Sequence, residues 1–213
     1  MDYYPLFLDL KNKHVLVIGG GAIALEKIQN LLKAGAKITV IAPSISPPIL
    51  RFNRRITFIH RAFQPNDIQT HYTLIFSATG DSKLNKTVST LCKENRILCN
   101  AVDDPNFCHF IVPSIFRRGR ITVAISTGGV SPTLAKDIKF KLKTWIDQDY
   151  TRLTRWLVGL RPKLKKSVST LEKRKEFWTH FYAQNPIKIL KQKGVRGLDH
   201  LISALLKTKG SSR

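Results

Sequence analysis

The chain is 213 residues long and 43% hydrophobic, enough to bury a core and form one or two domains. Its longest apolar run, Val15 to Leu25, is interrupted by three glycines and falls short of the ~20 residues that cross a bilayer. No basic-then-apolar leader opens the sequence, so neither a membrane span nor export is expected. A net charge of +22, from 36 Lys and Arg against 14 Asp and Glu, has two readings: attraction of a polyanion, whether nucleic acid, anionic lipid or a polycarboxylate, or a general basic bias spread over solvated faces.

In chain order, His14–Ile18 is a strand-like run, and Leu25, Ile28, Leu31 and Leu32 recur at helical spacing until Gly35 stops the helix. A second strand follows over Lys37–Ala42. Between them, Gly19-x-Gly21-x-x-Ala24 fits the dinucleotide fingerprint: a tight turn, a glycine admitting a pyrophosphate to the backbone, and a small residue where helix meets strand. The free N–H groups of Ala22, Ile23 and Ala24 then face the phosphates. The acid that usually binds the ribose about 20 residues on is missing, because no Asp or Glu lies between Glu26 and Asp67. Two readings stay open: Ala42, Pro43 and Ser44 meet the ribose of NAD, or Arg51, Arg54 and Arg55 meet the 2′-phosphate of NADP.

Ile56–His60 and Thr73–Ala78 read as strands, Leu84–Glu94 as a helix, and Ile97–Val102 as a strand. The alternation implies an α/β fold with a Rossmann-type parallel sheet, whose ligand end gathers the glycine turn, Ala78-Thr79-Gly-Asp81 and Asn100-Ala-Val-Asp103-Asp104. From Pro113 the pattern changes. Ile115–Ser126 is expected to be a turn and one alternating strand. After it, Ser131 as N-cap and Pro132 at the first position open a helix with Leu134, Ile138 and Leu142 on its buried face. Past Trp145 the pattern is helical, and the tail from Lys207 to Arg213 is expected to be disordered. Cys92, Cys99 and Cys108 have no CxxC spacing, which points to reduced thiols in a cytoplasmic protein and to no metal cluster. The basic runs Arg161–Lys166 and Lys173–Lys175 come without aromatic RNP-type or zinc-finger patterns, so nucleic acid is not the expected partner. A sensor or nucleic-acid-binding module on the same fold remains the alternative, since fold alone does not give function.

Taken in order, these motifs resemble the precorrin-2 dehydrogenases, found alone or as the N-terminal module of sirohaem synthases. The matching stretches are Tyr4–Leu10, Gly19–Ala24 with Glu26-Lys27, Leu31–Ala36, Val40–Pro43, Ala78-Thr-x-Asp81 with Asn85, Asn100–Asp103, Phe110–Ser114 and Ser126–Pro132 with Leu134-Ala135. Weaker similarity reaches Lys173–Trp178, so nearly the full length is covered. The resemblance implies a homodimer with an NAD-binding Rossmann domain over 1–113, a dimerisation segment over 114–147 and a helical domain over 148–213. It favours NAD, because the family members that use NAD carry Val40-Ile-Ala-Pro43 without an acid. The implied reaction is oxidation of precorrin-2, an octacarboxylate tetrapyrrole, to sirohydrochlorin. Some members also insert Fe²⁺ as a second substrate, and similarity of the Lys173–Trp178 segment to bifunctional members tips the expectation that way. The methyltransferase domain of the fused enzymes is not expected in a chain of this length, so another enzyme would supply precorrin-2.

The family places its catalytic aspartate at Asp103, where a carboxylate can take the proton as hydride leaves. Asp104, next to Pro105, is the competing base or a turn cap. Thr79 and Asp81 are assigned to the cofactor, with helix capping the other reading of Asp81. Asn100 and the turn Thr127-Gly128-Gly129-Val-Ser131 are assigned to substrate, the turn by its free N–H groups. His109 is either a proton acceptor for metal insertion or a loop histidine.

Overall fold

The computed structural model describes residues 3–102 and 105–207, in two compact units, 1–112 and 113–213. The expected base Asp103, its neighbour Asp104 and all but the first residue of the expected disordered tail lie outside the described residues.

The first unit is a five-stranded parallel sheet in the order β3-β2-β1-β4-β5, built from β1 (His14–Ile18), β2 (Lys37–Ile41), β3 (Ile56–Ile59), β4 (Tyr72–Ser77) and β5 (Leu98–Ala101). The strands are continuous apolar runs because both faces are covered. Val15 and Val17 of β1 pack with Ala24, Ile28 and Leu31 of α1 (Ala22–Lys33), in a core that also takes in Ile49 of the short α2 (Pro47–Leu50). Leu16 and Ile18, one residue out of phase, pack with Val88 and Cys92 of α3 (Ser82–Glu94) on the other face. The order in which strands are added reverses between β1 and β4, β2 and β3 lying to one side and β4 and β5 to the other, so the sheet opens there at its carboxyl end. This is the Rossmann-type α/β fold that the pattern implies.

In the second unit the expectation of a turn and one strand over Ile115–Ser126 is corrected. The segment is an antiparallel hairpin, β6 (Ser114–Arg118) and β7 (Ile121–Ile125), with Arg118 opposite Ile121. Gly119, at φ +58°, supplies the left-handed residue that a two-residue hairpin turn requires. Helix α4 (Pro132–Trp145) starts as expected, with Ser131 Oγ accepting from Leu134 N at 3.1 Å. Its buried contact is Ala135, however, and Leu134 stays 50% exposed. A small residue lets the helix come close, and the larger leucine then flanks the contact. Phe140 and Trp145 are also exposed.

The rest is helical: α5 (Gln148–Ser167), α6 (Leu171–Ala183) and α7 (Pro186–Lys207), the last broken at Gly194. Leu153, Leu160, Phe177, Phe181, Leu190 and Leu198 form their core, and Trp156 stacks on Phe181 while donating from Nε1 to Asp199 at 3.1 Å. Among the described residues, no helix is long and apolar enough to cross a membrane.

Candidate active site

Three glycines follow β1, and each meets a different surrounding. Gly19, at φ +117°, has backbone against it: a Cβ there would lie 2.3 Å from Ala78 O. At Gly20 a Cβ would lie 2.1 Å from Ser44 O and 2.8 Å from Ile45 Cα. Gly20 O also accepts from Ser46 N at 2.9 Å. The turn is therefore wedged between the loop after β2 and the end of β4, and Gly20, which the fingerprint leaves free, is as constrained as Gly19.

Gly21 differs from both, since a Cβ there would meet nothing within 4 Å. Its φ of −92° is open to any residue, and no side chain caps α1. Ala22 and Ile23 are exposed, whereas Ala24 is fully buried against the sheet. The N–H groups of the first turn lack intrahelical acceptors and carry the positive end of the helix dipole. An uncapped helix start above an open glycine fits a dinucleotide pyrophosphate.

Beside this cradle, Ala42 is buried and Pro43 and Ser44 are exposed at the end of β2. Of the three arginines considered for a 2′-phosphate, Arg55 donates from Nη2 to Leu32 O at 3.4 Å. Leu32 is ten residues along α1 from Ala22, roughly 15 Å from the phosphate end, so this contact points Arg55 away from it.

After β4, Asp81 caps α3: its Oδ1 accepts from Lys83 N at 2.9 Å and Leu84 N at 3.2 Å. Thr79 Oγ1 donates to Asn85 Oδ1 at 2.7 Å. Both side chains assigned to the cofactor are thus engaged within the protein. Asn100 is buried in β5, and its Nδ2 donates to Phe110 O at 2.9 Å and Cys108 Sγ at 3.4 Å.

The segment that Asn100 holds runs back along the edge of β5. His109 N donates to Cys99 O at 2.8 Å, and the His109 ring Nδ1 lies 3.2 Å from both Cys99 N and Ile97 O. His109 is thereby anchored to the start of the strand rather than to its ligand end. Cys99 beneath it is buried; its hydrogen bond with Cys92, in which the Cys99 thiol keeps the proton, and the burial together hold that thiol well above the ordinary range. Among the described residues, no group of three His, Cys, Asp or Glu could hold a metal ion.

The turn Thr127–Ser131 belongs to the second unit. Thr127 Oγ1 donates to Ser131 O at 3.1 Å and accepts from Ser131 N at 3.0 Å, while Gly128 and Gly129 have positive φ and open surroundings.

Residues 6–114 match the family described as "Putative NAD(P)-binding". Over 95% of its length the chain superposes on all of a solved structure, "SirC, precorrin-2 dehydrogenase", with TM-score 0.74 and 30% identity. The chain belongs to the precorrin-2 dehydrogenase family. Curated relatives of this family member include a siroheme synthase of Thioalkalivibrio sulfidiphilus, 40% identical over 180 residues, which are 84% of this chain and 37% of that protein. A siroheme synthase of Pseudoalteromonas translucida is 34% identical over 99% of this chain and 46% of its own. The chain spans under half the length of these relatives.

Proposed function

We propose that this protein oxidises precorrin-2 to sirohydrochlorin with NAD⁺. The observation that carries the reading is the full-length match to a precorrin-2 dehydrogenase in a chain whose first unit carries an open dinucleotide cradle. NAD⁺, when bound, supplies the hydride acceptor. Gly21 and the N–H groups of Ala22, Ile23 and Ala24 hold its pyrophosphate, and Ser44 with the backbone of Ala42 and Pro43 meets the ribose. The absence of an acid at this strand end and the diversion of Arg55 support NAD over NADP.

Oxidation removes one hydride and one proton from the tetrapyrrole. Asp103, next in the chain after Val102, takes the proton as a general base. In the second unit, the Thr127–Ser131 turn meets substrate carboxylates through the N–H of Gly129, since those of Gly128, Val130 and Ser131 already donate to Ser126 Oγ, Thr127 O and Thr127 Oγ1. The exposed apolar residues Leu134, Phe140 and Trp145 of α4 support pairing of two copies through 114–147, and three cysteines without a disulfide among them support a cytoplasmic setting. The siroheme synthase relatives support Fe²⁺ insertion as a second step.

The test mixes the purified protein with NAD⁺ and enzymatically made precorrin-2 and follows absorbance. Conversion to sirohydrochlorin is expected, with Asp103→Asn at least about 10²-fold slower at unchanged NAD⁺ affinity. No conversion beside a working reference enzyme refutes the proposal. For the second step, anaerobic Fe²⁺ insertion into sirohydrochlorin should exceed the spontaneous rate.

A further inference from the structure

We infer that Asn85 is a positioning residue for the proposed oxidation, fixing the end of β5 that leads into Asp103 against the end of β4 that backs the dinucleotide turn. The inference rests on the proposed role of Asp103 as the base.

Asn85 lies in the first turn of α3 and is 4% exposed. Its Oδ1 accepts from Ser77 Oγ and Thr79 Oγ1, each at 2.7 Å. Its Nδ2 donates to Thr79 O at 3.2 Å and to Val102 O at 3.3 Å. Two donors and two acceptors thus use the full capacity of one amide, and only a carboxamide in this orientation can satisfy all four partners. Asp would turn the two donated bonds into oxygen facing oxygen, and Leu would fill the space but leave two carbonyls unpaired.

The location gives the network its meaning. Thr79 and the carbonyl side of Val102 lie past the last paired residues of their strands, where the ladder no longer sets the geometry. The end of β4 is held independently, by Ala78 N donating to Ile18 O at 2.8 Å. Val102 is held through its N–H to Ser77 O at 2.9 Å and through its carbonyl to Asn85. Removing Asn85 therefore frees the carbonyl side of Val102, the side continuous with Asp103, and leaves the dinucleotide turn supported.

The experiment is a double-mutant cycle on the full chain with NAD⁺ and precorrin-2. Asn85→Ser should lower kcat roughly 10- to 100-fold, the scale of a misplaced reacting group, with KM for NAD⁺ changed less than about threefold. In the Asp103→Asn background the same substitution should change the residual rate less than about threefold, because its partner in the effect is already gone. If the two losses multiply, Asn85 acts on the fold at large and the inference is overturned, while the loss in Asp103→Asn alone still supports the base. If Asp103→Asn costs nothing, the proposed base fails and the inference with it. Should Asn85→Ser not fold, Ser77→Ala removes a single donor to Oδ1 and should give a smaller loss with the same non-additivity; multiplication there also overturns the inference.

Discussion

Replacing Gly21 by alanine separates what the protein needs from what its ligand needs. A Cβ at Gly21 would meet nothing within 4 Å, and φ −92°, ψ −167° suits alanine. An N-cap alanine is worse than glycine by about 0.5–1 kcal/mol, and the stiffer unfolded chain returns about 0.4–1 kcal/mol. The two nearly cancel, so Tm should move by no more than about 2–4 °C. The methyl instead occupies the space proposed for the pyrophosphate. Overpacking costs about 1–3 kcal/mol, which weakens NAD⁺ binding roughly 5- to 150-fold. Titration calorimetry gives Kd, and a thermal melt without ligand gives the control. Gly20→Ala is the converse, since its Cβ would run into Ser44 O and Ile45 Cα, which are backbone and cannot turn aside. It should lower Tm without ligand. An alanine at Gly21 that binds NAD⁺ as tightly as the parent refutes the cradle, and one that unfolds the protein refutes the reading of open space.

Asp81→Ala should destabilise by about 0.5–2 kcal/mol through loss of the α3 cap, with Asp81→Asn restoring most of it; a weakening of NAD⁺ binding that Asn does not restore would show that the carboxylate also serves the cofactor. Asp67, paired with Arg61 through bonds of 2.8 and 2.6 Å, is held below the ordinary carboxylate range mainly by that guanidinium. Its contribution is therefore present above the unfolded carboxylate value of about 3.9 and is lost as pH falls through the lower folded one. Arg61→Met should depress Tm near about pH 6 and progressively less in stronger acid, as pH falls through the lowered folded value and Asp67 becomes protonated in both states. An equal depression at both pH values would show that packing of the arginine stem, not charge, is responsible.

The first unit was legible because its signals are local. Apolar runs such as Val15–Ile18 mark strands buried on both faces, and Gly19, Gly21 and Ala24 place the turn. What was missed depends on partners far away in sequence. Nothing near Gly20 says that Ser44 will lie against it, and nothing near Asn85 says that Val102 needs a donor 17 residues on. The return of residues 108–110 along β5 was hidden for the same reason, so His109 could not be placed. The hairpin over 114–125 reads in sequence as a turn and one strand because a single glycine is a weak mark for a turn between two strands, while period alone points Leu134 to the core although Ala135 makes the contact.

The wedged turn has a consequence for how the site comes into being. Gly20 closes on Ser44, 24 residues later, and Gly19 on Ala78, 59 residues later. Contacts of that separation form only after long loops have closed, so they are late and cooperative events. A peptide carrying β1, α1 and β2 would contain every letter of the fingerprint and still lack the wall that Ala78 provides. The motif is local in sequence, but the shape that receives a nucleotide belongs to the assembled sheet.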